Sequence, residues 1–301
     1  MKRWIAGMIL MTLLLSLCGT VAEGKKLPID LSPGAAYTGS YEHGDDQVYE
    51  DPTIRVERHR FVSDTAHFGC TVYYAIITIG DASQLRTYPA NGKDFCTTTR
   101  IPCDKLAKRV RAILAIDGDY PATFTGNTQN SYVLRQGKIY RETVEKDLDI
   151  LLIDEDGDFH ILRREENLAE IDKTQINGKK VINAFQFGPA MVIDGEPVDD
   201  ETLLDATRSP VFARPQGQEQ RMIIAQIDTL TYMVACVAHW GASLPTMRDI
   251  ALSLAPCKTV YVLDGGESAQ MVFLGTLCNN TDGNKESRDL ADIIYFASAN
   301  Q

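Results

Sequence analysis

The sequence lacks the short motifs of several large enzyme classes. It contains no G-x-S-x-G, no H-E-x-x-H and no G-x-x-x-x-G-K-[ST], so a serine hydrolase, a zincin or a P-loop nucleotide triphosphatase has no motif support. No C-x-x-C pair is present either, which removes a common signature of zinc and redox sites. The sequence therefore requires no metal and no cofactor.

Positive charge is also in deficit. The chain has 30 Lys and Arg residues against 41 Asp and Glu residues, a formal net charge of -11. Phosphate backbones and anionic lipid surfaces repel such a chain. We therefore expect no nucleic-acid partner.

Long apolar runs are confined to the amino terminus. Lys2 and Arg3 precede the run "WIAGMILMTLLLSL", and the small residues Thr20 and Ala22 follow at signal-peptidase spacing. The run is shorter than the ~20 residues needed to cross a bilayer. We predict a signal peptide over residues 1–22, and no membrane span once it is removed.

Two alternatives to cleavage stay open, a retained helical anchor and lipid attachment at Cys18. Against lipid attachment, Leu17 is bulkier than lipoprotein processing usually accepts. Cleavage would remove two positive charges and no acidic residue, which takes the net charge from -11 to -13. The predicted location of the mature chain is secreted or periplasmic.

Cleavage would also leave six of the seven cysteines. An even number in an exported chain favours disulfides, and Cys96 with Cys103, across "CTTTRIPC", is the first pair we predict. Six buried free thiols are the alternative.

The remaining sequence indicates one domain after an amino-terminal arm. Residues 23–52 are rich in Gly, Pro and acidic residues without periodicity, which predicts a linker or extended arm, and residues 53–301 form a single domain. β-Branched and aromatic runs separated by Gly and Asp-Gly turns predict hairpins. The fold class is α+β, with a mixed, largely antiparallel sheet flanked by helices.

Two segments have helical periodicity, and each leads into an apolar strand that ends in Asp-Gly. They are "PCDKLAKRVRAILAI" and "SLPTMRDIALSLAP", the second capped by Ser243. The strand ends "AILAIDGDY" and "TVYVLDGGES" would bring four carboxyl groups into one cleft, those of Asp117, Asp119, Asp264 and Glu267. A divalent cation could sit in acid-rich turns such as "DEDGD" at 154–158, but this segment lacks EF-hand spacing and is typical of a hairpin turn.

These segments resemble the phosphodiester glycosidase family. Residues 262–271, "VLDGGESAQM", are similar to the family's "NLDGGGSATM", and "AIDGDYPAT" is similar to "A-x-N-G-x-Y/F-F" with Asp117 in place of Asn. Three further segments follow in family order: "NAFQFGPAMVIDGEPV" resembles G-P-x-L-x-x-D-G, "QRMIIAQID" resembles P-R-T-A-I-G, and "SRDLADIIYF" resembles E-R-P-V-x-N with Arg288 kept.

The resemblance implies a secreted or lumenal glycosidase that cleaves a sugar linked through its anomeric carbon to a phosphodiester. Its substrate would be a carbohydrate or glycosyl phosphate. The catalytic residues that it implies are Asp264, Arg221 and Asp117. We add Glu267, which departs from the family's glycine and could supply a second catalytic carboxylate, narrow the pocket or repel an anionic substrate. The implied substrate-binding residues are Gly265, Gly266, Ser268, Gly118, Tyr120 and His239.

Within these assignments Asp264 is the nucleophile or the base that activates water, and Arg221 contacts the phosphate. Departures from the family pattern leave an alternative open. Glu267 replaces a glycine, Gln270 a threonine and Gln226 a glycine. A secreted glycan-binding protein without catalysis, retaining the fold with an altered pocket, is therefore the second interpretation.

Overall fold

The computed structural model describes residues 27–37, 40–41, 46–63, 69–119, 131–210, 214–279 and 287–299. The predicted signal peptide, residues 1–22, lies outside them. No helix in these ranges is both long and apolar enough to span a membrane.

Strands dominate the described chain. In chain order they are β1 (Ser40–Tyr41), β2 (Gln47–Asp51), β3 (Ile54–Val62), β4 (Thr71–Ile79), β5 (Leu85–Pro89), β6 (Ile101–Pro102), β7 (Leu114–Asp117), β8 (Val133–Arg135), β9 (Lys138–Arg141), β10 (Ile150–Asp154), β11 (Phe159–Leu162), β12 (Gln175–Ile176), β13 (Lys179–Phe185), β14 (Ala190–Ile193), β15 (Glu196–Pro197), β16 (Glu219–Asp228), β17 (Thr231–Ala242), β18 (Thr259–Val262), β19 (Met271–Phe273), β20 (Thr276–Leu277), β21 (Asp289–Leu290) and β22 (Asp292–Phe296).

Three α-helices accompany the described strands: α1 (Cys103–Val110), α2 (Asp200–Leu204) and α3 (Leu244–Leu254). The Ser243 cap of α3 is confirmed, since the Ser243 side chain accepts a hydrogen bond from the Thr246 amide. Pro245 sits in the first turn, where its missing N–H costs nothing. For α1 the cap position is Pro102.

The strands form several antiparallel sheets rather than the single mixed sheet expected. The largest has nine strands in the order β1-β2-β3-β4-β17-β16-β18-β14-β15, and a five-stranded sheet runs β20-β19-β7-β22-β5. A third sheet contains β11-β10-β13-β8-β9 with β12 beside β13, and β21 pairs with β6. Every one of these described pairings is antiparallel, and many of them, such as β10–β11, β16–β17, β3–β4 and β8–β9, join strands that are consecutive in the chain.

The alternation of side chains along the strands explains the layering. On β16, Met222 and Ile224 face a central cluster that also holds Ile116, Leu151 and Phe296 from the other two large sheets. The intervening Ile223 and Ala225 face α3, whose Met247 and Ile250 cover the outer side of the nine-stranded sheet. The outer side of the five-stranded sheet packs in the same way against α1. The middle of β16 is therefore buried on both faces, and its residues 222–225, "MIIA", form a continuous apolar run.

Part of the predicted arm joins the fold. Strand β2 extends the nine-stranded sheet through β3. The Gly34 amide donates to Val110 O and the Ala35 amide to Ser298 O, while Asp30 pairs with Arg86. The described part of residues 23–52 is thus hydrogen-bonded to the domain.

The predicted disulfide is wrong. All six described cysteines are free thiols, including Cys96 and Cys103. Cys103 is fully buried as the first residue of α1, whereas the Cys96 sulfur faces the Tyr140 carbonyl. Hydrophobic packing of α1 fixes Cys103 in the core, so proximity in sequence does not bring the two sulfurs together.

Candidate active site

The candidate site lies where the nine-stranded and five-stranded sheets meet at one end. Asp117 is the last residue of β7, and Asp264 follows the end of β18 by two residues. The Asp264 amide donates to Gly118 O at 3.1 Å, which joins the two strand ends. Antiparallel pairing of β22 with β7 then places Asp292 beside Asp117 and Gly118, because Ile293 is opposite Asp117.

Asp264 is the least enclosed aspartate of this group, at 7% exposure. Its Oδ1 accepts a hydrogen bond from the Gly265 amide at 2.8 Å, and the Ser268 side chain also bonds its carboxyl group. Burial raises its pKa to about 6, against the opposing effects of these bonds and of the Arg288 charge. Such a group is largely ionised at pH 7 yet basic enough to take a proton.

Asp117 is buried more deeply. Its Oδ1 accepts from the Gln270 amide at 3.0 Å, while its Oδ2 has no hydrogen-bond partner among the described residues. Burial, followed by the negative charge of Asp264, raises its pKa well above the ordinary range. Burial thus favours the protonated form of Asp117, in which its carboxyl group can donate a hydrogen bond.

Asp119 differs because an arginine neutralises it. Its Oδ1 bonds the guanidinium of Arg135 and its Oδ2 accepts from the Gln186 amide at 2.9 Å. Arg135 is itself fully buried, stacked 3.8 Å from the centre of the Phe185 ring and bonded to the Ala184 carbonyl. This pair forms the floor of the cluster.

Asp292 lies against Gly118 and is 3.7 Å from the Arg135 guanidinium. A Cβ at position 118 would lie 2.5 Å from Asp292 Oδ1, so only glycine fits there. Burial raises the pKa of Asp292 to about 7, although the charge of Arg135 acts in the opposite direction.

The loop after Asp264 requires its glycines for different reasons. A Cβ at Gly265 would lie 2.8 Å from Gln220 O, and Gly266 has a φ of +59°. The short turn Gly266–Ser268 that follows directs Ser268 back to Asp264. Gln270 closes the loop, since its side chain donates to Glu267 O and accepts from Ser287 Oγ.

Glu267 is exposed at the rim, where its carboxylate pairs with the Arg288 guanidinium. The other substitution in question, Gln226, lies near the opposite end of β16. The side-chain oxygen of Gln226 accepts from the Phe159 backbone N–H, and its side-chain nitrogen donates to Asp158 Oδ1. Gln226 therefore stabilises a strand junction and does not alter the site.

Arg221 does not point into the aspartate cluster. Its guanidinium donates to Ala242 O at 3.0 Å and Gly217 O at 3.2 Å, and also to Arg214 O. Burial lowers its pKa to about 10. In this arrangement Arg221 braces the 214–217 segment against the nine-stranded sheet.

Two predicted site residues cannot be placed. Tyr120 lies outside the described residues, and His239 is described only as backbone within β17. The site also contains two residues that the sequence prediction missed. Arg135 follows an ordinary hairpin pattern and gave no signal. Asp292 did give one, because matching Arg288 to E-R-P-V-x-N puts Asp292 on the final Asn.

Within the described ranges, no group of three or more His, Cys, Asp and Glu residues has a geometry suited to a metal ion. At 154–158 the hairpin interpretation is confirmed, since β10 and β11 pair across this turn. Lys179 Nζ lies 3.1–3.2 Å from carboxylate oxygens of all three aspartates there, Asp154, Asp156 and Asp158. Its ammonium group balances part of their negative charge.

Comparison with known proteins gives a family and two structural neighbours. A family model described as phosphodiester glycosidase matches residues 111–297. The catalytic domain of zebrafish N-acetylglucosamine-1-phosphodiester alpha-N-acetylglucosaminidase, auto-inhibited by its pro-peptide, is similar with a TM-score of 0.63 at 16% identity, covering 86% of this chain and 87% of that one. A hypothetical protein from Synechocystis is similar with a TM-score of 0.56 at 13% identity, covering 84% and 64%. At these identities the structural likeness shows the fold. No curated protein matches by sequence.

Proposed function

The chain belongs to the phosphodiester glycosidase family, and from that premise we propose that it is an exported enzyme that hydrolyses a glycosyl phosphodiester in a surface or extracellular glycan. One observation carries the proposal. The aspartate of the family's glycine-rich segment, Asp264, is held by Ser268 and the Gly265 amide beside a second strand end that carries Asp117.

The proposed reaction breaks the bond between the anomeric carbon and the phosphodiester oxygen. The electron pair of that bond leaves with the phosphate, and oxygen from water forms the new bond to the anomeric carbon. The sugar gains a hydroxyl group, and the remaining proton of water ends on the phosphate monoester or in solvent. A phosphate is a good leaving group, so a strong general acid is less necessary than for an ordinary glycoside.

Asp264 is the residue we assign to the anomeric carbon. Its carboxylate either attacks that carbon or removes a proton from the attacking water, and in both roles it stabilises positive charge developing on the sugar. Protonated Asp117 would donate a hydrogen bond to a sugar oxygen, and Gly265 and Gly266 would let the substrate approach the backbone. Asp119, Arg135 and Asp292 lie behind these groups and position them.

Export is part of the proposal. The leader over residues 1–22 would deliver the chain to a secreted or periplasmic location. The negative net charge of the chain is unfavourable for binding a nucleic acid.

A secreted glycan-binding protein without catalysis is the second candidate. The exposed Glu267–Arg288 pair at the rim favours it, because a side chain stands where the family pattern has glycine. Of the other departures, Gln226 gives it no support, since this residue lies away from the site.

The test is hydrolysis by the mature protein of UDP-N-acetylglucosamine and simple sugar-1-phosphodiesters, each with and without chelator. We expect sugar release by the wild type and its loss in Asp264→Asn. Glycan binding without release of any sugar, with the fold intact, would favour the second candidate. Release by Glu267→Gly alone would mark a pocket that Glu267 has closed to this chemistry.

A further inference from the structure

An ion pair at the rim of the candidate site is exposed to solvent, whereas the aspartate cluster is buried. Glu267 and Arg288 are paired with side-chain exposures of 59% and 45%. Glu267 is next to Ser268, whose side chain bonds Asp264, and the positive charge of Arg288 lowers the pKa of Asp264 against the effect of burial. The pairing with Glu267, which is one residue from Ser268, places the Arg288 guanidinium at the rim of the loop that holds Asp264.

The two buried arginines of this region are already committed. Arg221 donates to three backbone carbonyls, and Arg135 is fixed between Asp119 and the Ala184 carbonyl. Either one would have to abandon buried hydrogen bonds to meet a phosphate. Arg288 would exchange only an exposed ion pair, which contributes little stability.

We propose that Arg288 binds the substrate phosphate and that Glu267 makes the site select singly charged phosphodiesters over doubly charged phosphomonoesters. This rests on the proposed function. A guanidinium binds carboxylate and phosphate oxygens with the same fork of N–H donors, so the Glu267 carboxylate occupies the position that a phosphate would take.

Selectivity for the charge of the phosphate follows because the loop keeps Glu267 next to the bound group. When phosphate displaces the Glu267 carboxylate from Arg288, the loop between Asp264 and Ser268 still holds Glu267 nearby. Its negative charge then repels the bound phosphate, and the repulsion grows with phosphate charge. A diester carries one negative charge, whereas a monoester approaches two above its second pKa of about 6.

The test compares the methyl diester and the monoester of one sugar 1-phosphate at pH 7.5. Glu267→Gln should raise kcat/KM for the monoester roughly tenfold more than for the diester. Arg288→Gln should lower kcat/KM for both substrates by roughly 10- to 100-fold, the loss expected for a charged hydrogen bond. Most of each change should appear in KM.

Asp228→Asn is the matched control, because Asp228 forms an exposed ion pair with Lys258 at the far end of β16. It should leave both substrates unchanged. At pH 5 the monoester becomes singly charged, so the wild-type preference for the diester should shrink.

Two results would overturn the inference while leaving the glycosidase assignment intact: equal effects of Glu267→Gln on both substrates, or wild-type kcat/KM for the diester in Arg288→Gln. Wild-type protein that hydrolyses no diester at all would instead remove the proposed function, and this inference with it.

Discussion

Among the described residues, four aspartates lie at one end of the molecule together with the fully buried Arg135. Burial raises the pKa of all four aspartates, including Asp119, for which the paired Arg135 acts in the opposite direction. Two of these, Asp117 and Asp292, occupy positions where the family segments have Asn. An amide would avoid the cost of a buried charge, and an aspartate at the same place reduces that cost because burial favours its protonated form.

Asp264 gives the first prediction at this scale. Because its proposed role requires the ionised form and its pKa is raised to about 6, kcat/KM should fall as pH drops through about 6. Asp264→Asn should lower kcat/KM roughly 10²- to 10⁴-fold, the range for loss of one acid–base group. The measurement is the pH profile of kcat/KM with a diester substrate. A flat profile between pH 4 and 8 would contradict the assignment.

Asp292 gives a prediction about stability. Its pKa is raised to about 7 in the folded state, so the folded chain keeps a proton that the unfolded chain loses near pH 4. The stabilisation from that proton is complete below pH 4 and is lost as pH rises through 7. Asp292→Asn should therefore gain stability relative to wild type by about 2–4 kcal/mol between pH 4 and 8, at about 1.4 kcal/mol per pKa unit.

Urea unfolding at several pH values measures this difference. Asp264→Asn is the comparison variant. Its gain in the free energy of unfolding should be smaller and should level off above about pH 6, because the pKa of Asp264 is raised less. A pH-independent difference between Asp292→Asn and wild type would mean that Asp292 is ionised throughout.

At the scale of elements, the strand that carries Arg221 has a supporting role. Its guanidinium bonds three carbonyls at the junction of the 214–217 segment with β16 and β17. A buried donor of this kind stabilises the backbone around the site rather than a ligand within it.

Arg221→Lys tests that role. A lysine cannot reproduce the fork of donors, so buried carbonyls lose partners and the free energy of unfolding should fall by about 2–4 kcal/mol. The values of kcat/KM for the sugar-1-phosphate diester and monoester should fall together. Unchanged stability in urea, with a KM for the diester raised more than tenfold, would instead indicate that Arg221 binds the substrate phosphate.

The predicted elements show what local sequence determines. Helix α3, its Ser243 cap and the β10–β11 turn follow from periodicity and from residues with particular backbone preferences. The division into several sheets did not follow, because strands such as β16 are apolar on both faces and their partners depend on contacts distant in sequence.

The site was predictable to the same extent. Strand ends in Asp-Gly located Asp117 and Asp264, since that pattern is local. Arg221 shows the limit, because a sequence match gives its position on β16 but not the direction of its guanidinium. Arg135 reaches the site from another sheet, so only the tertiary arrangement brings it there.

At the scale of the whole molecule, stability rests on packed layers and not on covalent links. The central cluster draws on all three large sheets, and the six described cysteines are free. The described arm is hydrogen-bonded to Ser298, just after the last residue of β22, whereas Asp292 is the first residue of that strand. The arm therefore contacts the domain at a place remote from the candidate site.

Reductant should therefore leave the melting temperature of the protein unchanged. A thiol reagent should modify the partly exposed Cys96 and Cys278 first, and fully buried Cys103 and Cys236 only after unfolding. Mass spectrometry of the labelled protein checks this order. A fall of several degrees in melting temperature with reductant would show a disulfide that this account lacks.

The central claim is cleavage at the anomeric carbon, and the most direct test is to hydrolyse a sugar-1-phosphodiester in water enriched in oxygen-18. Mass spectrometry of the released phosphate monoester then reports which bond broke. Cleavage of the carbon–oxygen bond predicts no heavy oxygen in the phosphate. Oxygen-18 in the phosphate would mean attack on phosphorus, and the protein would be a phosphodiesterase built on a glycosidase fold.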